Sequence, residues 1–269
     1  MRKKIIIAFF VLIAVLVSVS FLYKNSNNKE IIINTNPEVN TLVVADSFEN
    51  KVLPLSDTYA KFDVKYPSFK NADINFNFKI ENLLKAQMQD FKNTSVENWQ
   101  ARFNTQAEGD NISKIPADAD KFTFSSDYNV VQSNANYISF VLHYGGFDGG
   151  AHGFENVVSY NYDIKKQKEI QLADLFSNNQ NYLNDISVKS RTYLKDKYAS
   201  FNAQDIKDSD LQATKDYFDN MISMIESGTE PKIDNFSTFT FTPNKIKIYF
   251  ADYQVGPHSI GMPEFEFDR

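Results

Sequence analysis

This 269-residue sequence predicts an α+β fold, mainly antiparallel sheet packed with helices, behind one N-terminal apolar segment. Three observations carry that expectation. Stretches that alternate apolar and polar residues are segregated from stretches with helical spacing, and they do not take turns with them one for one. That pattern marks α+β and disfavours doubly wound or barrel α/β folds. Aromatic residues are abundant, with 24 Phe and 14 Tyr, and such side chains suit half-buried pleated surfaces. Hydrophobic residues make up 42% of the chain, enough to build a core and to exclude wholesale disorder.

The elements follow in order. Met1 to Lys4 is basic, and Ile5 to Tyr23 is a run of 19 residues without a charge. About 20 apolar residues span a bilayer as a helix, and a basic flank holds the N-terminus in the cytoplasm. The run exceeds the roughly 7–15-residue core of a cleaved signal. Residues 1–23 therefore read as a signal anchor, although Ser18-Val19-Ser20 offers spacing for cleavage and hence secretion. The remainder is expected outside the cytoplasmic membrane, joined through a polar linker over 24–40. Beyond it we expect two domains, 41–120 and 121–269.

Thr41 to Ser47 and Tyr59 to Tyr66 read as strands, the second alternating Phe62, Val64 and Tyr66 with charged residues and ending at Pro67. Asp73 is placed to cap a helix running to about Phe103. Phe76, Ile80, Leu84, Met88 and Phe91 recur there at helical spacing, with Trp99 packed near its end. Gly109 to Pro116 is a loop. Strands are expected over Lys121–Gln132, Tyr137–Tyr144 and Glu155–Asp163, then a turn and a short continuation at Glu169–Leu172. Helices follow over Asn178–Tyr198 and Asp205–Glu226, the latter stopped by Gly228. Strands Thr238–Thr242 and Lys245–Ala251 complete the reading.

Cysteine is absent, which excludes disulfides, thiolate ligands and a lipidated cysteine. The first 23 residues hold three of the 28 basic residues and no acid. The rest thus carries 25 basic against 34 acidic residues, a net charge of −9. Such a surface argues against nucleic acid and favours cationic partners through steering.

Chemistry-bearing residues concentrate in His143-Tyr144-Gly145-Gly146-Phe147-Asp148-Gly149-Gly150-Ala151-His152-Gly153, which holds five of nine glycines and two of three histidines. A reversal between two strands accounts for the glycines. No Lys follows them as a phosphate-binding loop requires, and strand signals continue after Gly153, so a nucleotide fingerprint does not fit. His143, His152 and His258 could form a three-imidazole set, but the third lies far off in sequence and no H-E-x-x-H occurs. We expect no metal and no cofactor. No G-x-S-x-G elbow is present.

The order and spacing of Tyr144 to Gly153, the Tyr160-Asn161-Tyr162-Asp163 strand, and Glu169-Ile170-Gln171-Leu172-Ala173-Asp174-Leu175-Phe176 resemble the C-terminal domain of RsiV-type proteins. Tyr253-Gln254-Val255-Gly256-Pro257-His258-Ser259-Ile260-Gly261 is similar to a further element of that family, with Gly256 and His258 departing from its usual residues. Tyr59 to about Trp99 is similar to the companion domain of peptidoglycan deacetylases of the PdaC type. Residues 41–120 thus read as PdaC-like and 121–269 as RsiV-like.

The resemblance implies an extracytoplasmic module. In RsiV-type receptors such a module binds lysozyme, and a cytoplasmic segment captures a sigma factor. Here only Met1 to Lys4 precede the anchor, and no H-x-x-x-H deacetylase motif occurs. The expectation is a non-enzymatic envelope protein, held in the membrane through residues 5–23, that binds a lysozyme-like cationic protein or a peptidoglycan fragment. Function commonly sits on loops displayed by a rigid sheet, so the candidate ligand-binding residues are Tyr144, Phe147, Asp148, His152, Tyr253, Pro257 and His258. The alternatives are a glycan-modifying enzyme with His152 and Asp148 as acid–base groups and a structural envelope protein with no soluble ligand.

Overall fold

The computed structural model describes residues 42–107, 112–176, 179–200 and 211–269. The expected anchor and linker lie outside them. Among the described residues no helix is long and apolar enough to cross a membrane.

The architecture is α+β. The order is β1 (Phe48–Val52), β2 (Ala60–Phe69), α1 (Ile74–Asn104), β3 (Phe122–Ser133), β4 (Tyr137–Phe147), β5 (Phe154–Asp163), β6 (Lys168–Glu169), α2 (Tyr182–Tyr198), α3 (Leu211–Gly228), β7 (Phe239–Phe241), β8 (Lys245–Tyr249) and β9 (Glu264–Asp268). β1 to β6 form one sheet in sequence order, and β7 to β9 form a second. Every pairing between these strands is antiparallel except β2 with β3. That parallel step is bridged by α1, as a parallel connection requires a long crossover. β2 and β3 lie on either side of residue 120, where the sequence suggests a boundary, and they are hydrogen-bonded neighbours.

Helix α1 begins where Asp73 accepts a hydrogen bond from the amide of Asn75. Its buried stripe is Phe76, Ile80, Leu84, Met88, Phe91, Ser95 and Trp99, the apolar set the spacing predicts. Trp99 is 3% exposed and donates from Nε1 to the Ser113 carbonyl.

β4 shows how the period of two is used. Ile138, Phe140, Leu142 and Tyr144 join the core beneath α1 with Tyr160 and Tyr162 of β5. The alternate residues face the opposite side, where Val141 and Val157 meet Tyr249 of β8. Both faces of this strand are therefore covered, which explains its nearly continuous hydrophobicity. Rings do much of the packing: Phe140 stacks on Tyr160 with centroids 5.0 Å apart and lies 5.1 Å from Phe69. A second core lies between the three-stranded sheet and the last two helices. Ile186 and Leu194 of α2 and Met221 and Ile225 of α3 meet Phe239, Phe241, Ile246 and Ile248 there.

Small polar side chains join the two sheets. The amides of Phe239 and Phe241 donate to Ser159 Oγ and Ser139 Oγ, at 2.9 Å each. Asn161 Nδ2 donates to the Phe239 carbonyl at 2.7 Å, and Ser139 Oγ donates to Asn161 Oδ1 at 2.6 Å. The backbone of β7, buried between layers, thus finds partners on the strands it crosses.

Several boundaries differ from the sequence reading. The first strand is β1, later than Thr41–Ser47; a turn at Asp46, whose φ is 59°, precedes it, and Val43 forms only an isolated bridge to Ser133. Pro67 does not end β2 but sits inside it, opposite Asn50. The flanking amides of Lys65 and Phe69 donate to Ser126 Oγ and Asn77 Oδ1, away from β1. A proline at the position between them costs no ladder bond. Gly145 and Gly146 lie within β4, not in the turn; the turn uses Gly149, whose φ is 94°. β9 was not anticipated, although Phe265 and Phe267 alternate with acids. The expected start of the second late helix, 205–210, lies outside the described residues.

Candidate functional site

The glycine–histidine loop between β4 and β5 meets the loop that follows β8. Tyr253 and His152 are 101 residues apart in sequence, yet the Tyr253 hydroxyl lies 3.2 Å from His152 Nε2. The His152 and His258 rings stack with centroids 4.1 Å apart and planes inclined by 21°. Tyr253 lies 5.8 Å from His258 at an inclination of 24°. One phenol and two imidazoles thus form a small surface platform. Tyr253 is 51% exposed, and the His258 side chain 38%.

Hydrogen bonding orients both imidazoles. His152 Nδ1 lies 2.7 Å from the Gly153 carbonyl, which can only accept. Nδ1 therefore carries hydrogen, and Nε2 accepts from Tyr253. His258 Nδ1 lies 2.7 Å from Asp252 Oδ2, and the same logic leaves its Nε2 facing outward without a protein partner among the described residues. Asp252 was not singled out from the sequence, where an acid six residues before a histidine carries no signal. Its other oxygen, Oδ1, is buried without a hydrogen-bond partner among the described residues.

The backbone beneath the platform is held in an uncommon shape. Tyr253 adopts a φ of 62°, a left-handed conformation unusual for a bulky residue and one that persists only where its surroundings impose it. The neighbouring Gln254 imposes it here. Its Oε1 accepts from the Ala251 amide, and its Nε2 donates to the carbonyls of Gly228 and Asn235. Val255 is 1% exposed in the second core. Gly228 ends α3 against this loop: a Cβ there would fall 2.1 Å from the Gln254 carbonyl oxygen. Close approach, more than a helix-stop conformation, requires glycine at that position.

The remaining candidates divide. Phe147 ends β4 with 43% of its surface exposed. The Asp148 carbonyl accepts from Asn98 Nδ2 of α1 at 2.9 Å, which ties the loop to the helix. Pro257 precedes the single turn that carries His258. Tyr144 is set apart from this surface: it is 8% exposed, its ring lies 6.3 Å from Phe124, and burial pushes its hydroxyl pKa up. Strand alternation points it under α1 with Leu142 and Phe140. His143 faces Glu155 at 3.9 Å and the Tyr249 ring, not the other imidazoles. Among the described residues no three His, Asp or Glu side chains converge as a metal-holding group.

In chemical terms the platform offers ring faces for stacking, an exposed imidazole acceptor oriented by a carboxylate, and a phenol hydroxyl. Comparison with known proteins finds similarity in the two segments that meet here. Residues 55–155 match the family described as deacetylase PdaC, and residues 173–269 match the protein family of unknown function DUF3298. His152 lies in the first matched segment, and Tyr253 and His258 lie in the second.

A curated relative, the peptidoglycan-N-acetylmuramic acid deacetylase PdaC of Bacillus subtilis (strain 168), is 27% identical over 256 residues. The match covers 94% of this chain and 47% of the relative, so the chain spans about half the length of that protein. Among solved structures, a DUF3298 family member from Bacteroides fragilis NCTC 9343 superposes with a TM-score of 0.51 at 13% identity, covering 82% of this chain and 90% of that one. This shows a shared fold. A DUF3298 family protein from Pseudomonas aeruginosa PAO1 gives a TM-score of 0.43 at 14% identity, over 82% and 88% of the two chains.

Proposed function

We propose that this protein is a binding module of the cell envelope, anchored through residues 5–23, whose segments 145–153 and 253–261 form one recognition surface for a peptidoglycan-related ligand. The observation that carries the reading is the stacked His152–His258–Tyr253 platform, assembled from both matched segments and turned toward solvent. Sugar rings present hydroxyls along their edges and C–H groups on their faces. A platform of ring faces flanked by imidazole nitrogens and a phenol complements both. The peptidoglycan deacetylase among its relatives supports the same ligand class.

Calorimetry of the purified full-length protein against muropeptides tests this. Tyr253→Ala should weaken binding by about 2–10-fold, the span expected for one lost aromatic contact. Unchanged affinity in both Tyr253→Ala and His258→Ala removes the platform from the binding surface. Binding to lysozyme but not to muropeptides would shift the ligand to a cationic protein, as the RsiV-type resemblance implies.

A second reading rests on the His258–Asp252 pair and on the relative's name. An imidazole oriented by a carboxylate can act as a general acid or base, so the chain would modify glycan instead of holding it. Acetate release from peptidoglycan, abolished by His258→Ala in a folded protein, would establish that reading over the first.

A further inference from the structure

A groove with a cavity volume of about 410 Å³ opens between the C-terminal half of α2 and strands β8 and β9. We propose that it is a second binding subsite, selective for a saccharide unit that bears a carboxylate; the assignment rests on the envelope-glycan reading above and deepens it.

Two lysines in this groove differ in their surroundings. Lys247 Nζ is clasped by acids, 3.0 Å from Glu264 and 3.9 Å from Glu266. Lys197 has no carboxylate within ion-pair distance among the described residues. Its ammonium instead lies over the rings of Tyr193 and Tyr198, 5.4 and 5.0 Å from their centroids, and donates to the Tyr193 hydroxyl at 3.1 Å. Hydrogen bonds to the Tyr193 and Tyr198 hydroxyls hold it above the usual lysine pKa, so it stays charged at neutral pH. This cation is fixed in place by neutral partners and, among the described residues, has no counter-ion.

The opposite wall supplies complementary groups. Carboxylates only accept hydrogen bonds; Glu264 and Glu266 line the groove, paired with Lys247 and, for Glu266, with Lys245 at 2.6 Å, and their remaining lone pairs can accept from sugar hydroxyls. Met262 and Pro263 give an apolar stretch; they directly follow the loop that carries His258, so groove and platform share one segment of chain. The volume falls within the range of small-molecule sites, about 300–1,000 Å³. A neutral sugar would leave Lys197 unmatched, and a simple anion would offer no donors to Glu264 and Glu266. A hydroxylated ring bearing one carboxylate matches both.

The test is an NMR titration of the full-length protein with N-acetylmuramic acid, which carries a carboxylate, and with N-acetylglucosamine, which does not. N-acetylmuramic acid should bind more tightly, and added salt should narrow the gap. Lys197→Met should cut that affinity by roughly 3–10-fold while leaving N-acetylglucosamine unchanged. Tyr193→Phe, which removes the hydroxyl that positions the ammonium, should show a smaller loss of the same kind. Equal binding of the two sugars, insensitive to Lys197→Met but sensitive to Tyr253→Ala, would overturn the groove and leave the platform standing. Failure of the unaltered protein to bind either sugar while it binds muropeptides would overturn the groove and leave the platform standing.

Discussion

Asn161 is the residue on which the junction of the two sheets most depends. It is 5% exposed, donates to the Phe239 carbonyl at 2.7 Å and accepts from Ser139 Oγ at 2.6 Å. Ser139 in turn accepts from the Phe241 amide. Asn161→Ala removes two hydrogen bonds, each contributing about 0.5–1.5 kcal/mol net, and leaves the Phe239 carbonyl and the Ser139 hydroxyl buried without those partners, at about 1–3 kcal/mol for each group left unmade. These estimates overlap, because the penalty for an orphaned group includes the bond it lost. A total of about 2–4 kcal/mol follows. At this chain length each kcal/mol lowers the melting temperature by about 2–4 °C, so a fall of roughly 5–15 °C is expected. Urea unfolding should show a lower midpoint with an unchanged slope. Ser139→Ala combined with Asn161→Ala should cost less than the two single changes added, because both break one chain of bonds. A loss under about 0.5 kcal/mol for Asn161→Ala, or strict additivity in the double variant, would refute the view that this seam joins the sheets.

Three further outcomes follow from the same structure. Gly228→Ala puts a Cβ 2.1 Å from the Gln254 carbonyl oxygen and 2.8 Å from Val255 Cγ1; it should destabilise by about 1–3 kcal/mol and weaken muropeptide binding by moving Tyr253, both read by thermal melts and calorimetry. Phe140→Ala, at a fully buried site stacked on Tyr160, should cost about 3–5 kcal/mol in urea unfolding. Asp57 has a 6% exposed side chain, accepts from the amides of Tyr59 and Ala60 and pairs with Lys92 at 3.2 Å. Burial alone would raise its pKa, but those amides and that ammonium together hold it below the usual carboxylate value. A depressed folded-state pKa contributes stability that is present above the unfolded value, about 3.9, and lost as pH falls through the folded one. Asp57→Asn should therefore be about 1–2 kcal/mol less stable at pH 7, and the difference should close only at pH values under about 3.9; a gap that widened on acidification would contradict the assignment.

Patterns within one element were legible in the sequence. The stripe from Phe76 to Trp99 could be read because a helix face repeats every 3.6 residues whatever it packs against. The candidate loops were legible because glycine and histidine are rare here and clustered. Other features depended on neighbours. Pro67 looked like a strand end, yet it is tolerated because the amides on either side of it turn toward Ser126 and Asn77 and leave no ladder bond to break. Tyr144 belonged with the glycine loop by position, but alternation along β4 carries it under α1.

The sequence by itself determined the α+β class, the amphipathic spacing of the long helix and the two loops rich in aromatic and imidazole groups, since local sterics and hydrophobic periodicity act over a few residues. Only the tertiary structure decided that His152 meets Tyr253 and His258, that Asp252 orients one of those rings, and that Lys197 faces a groove with no counter-ion among the described residues. Those juxtapositions depend on how β7 docks across β4 and β5 and how α2 lies along β9. Burial and hydrogen-bond satisfaction over the whole chain select that docking, and no short stretch of residues encodes it.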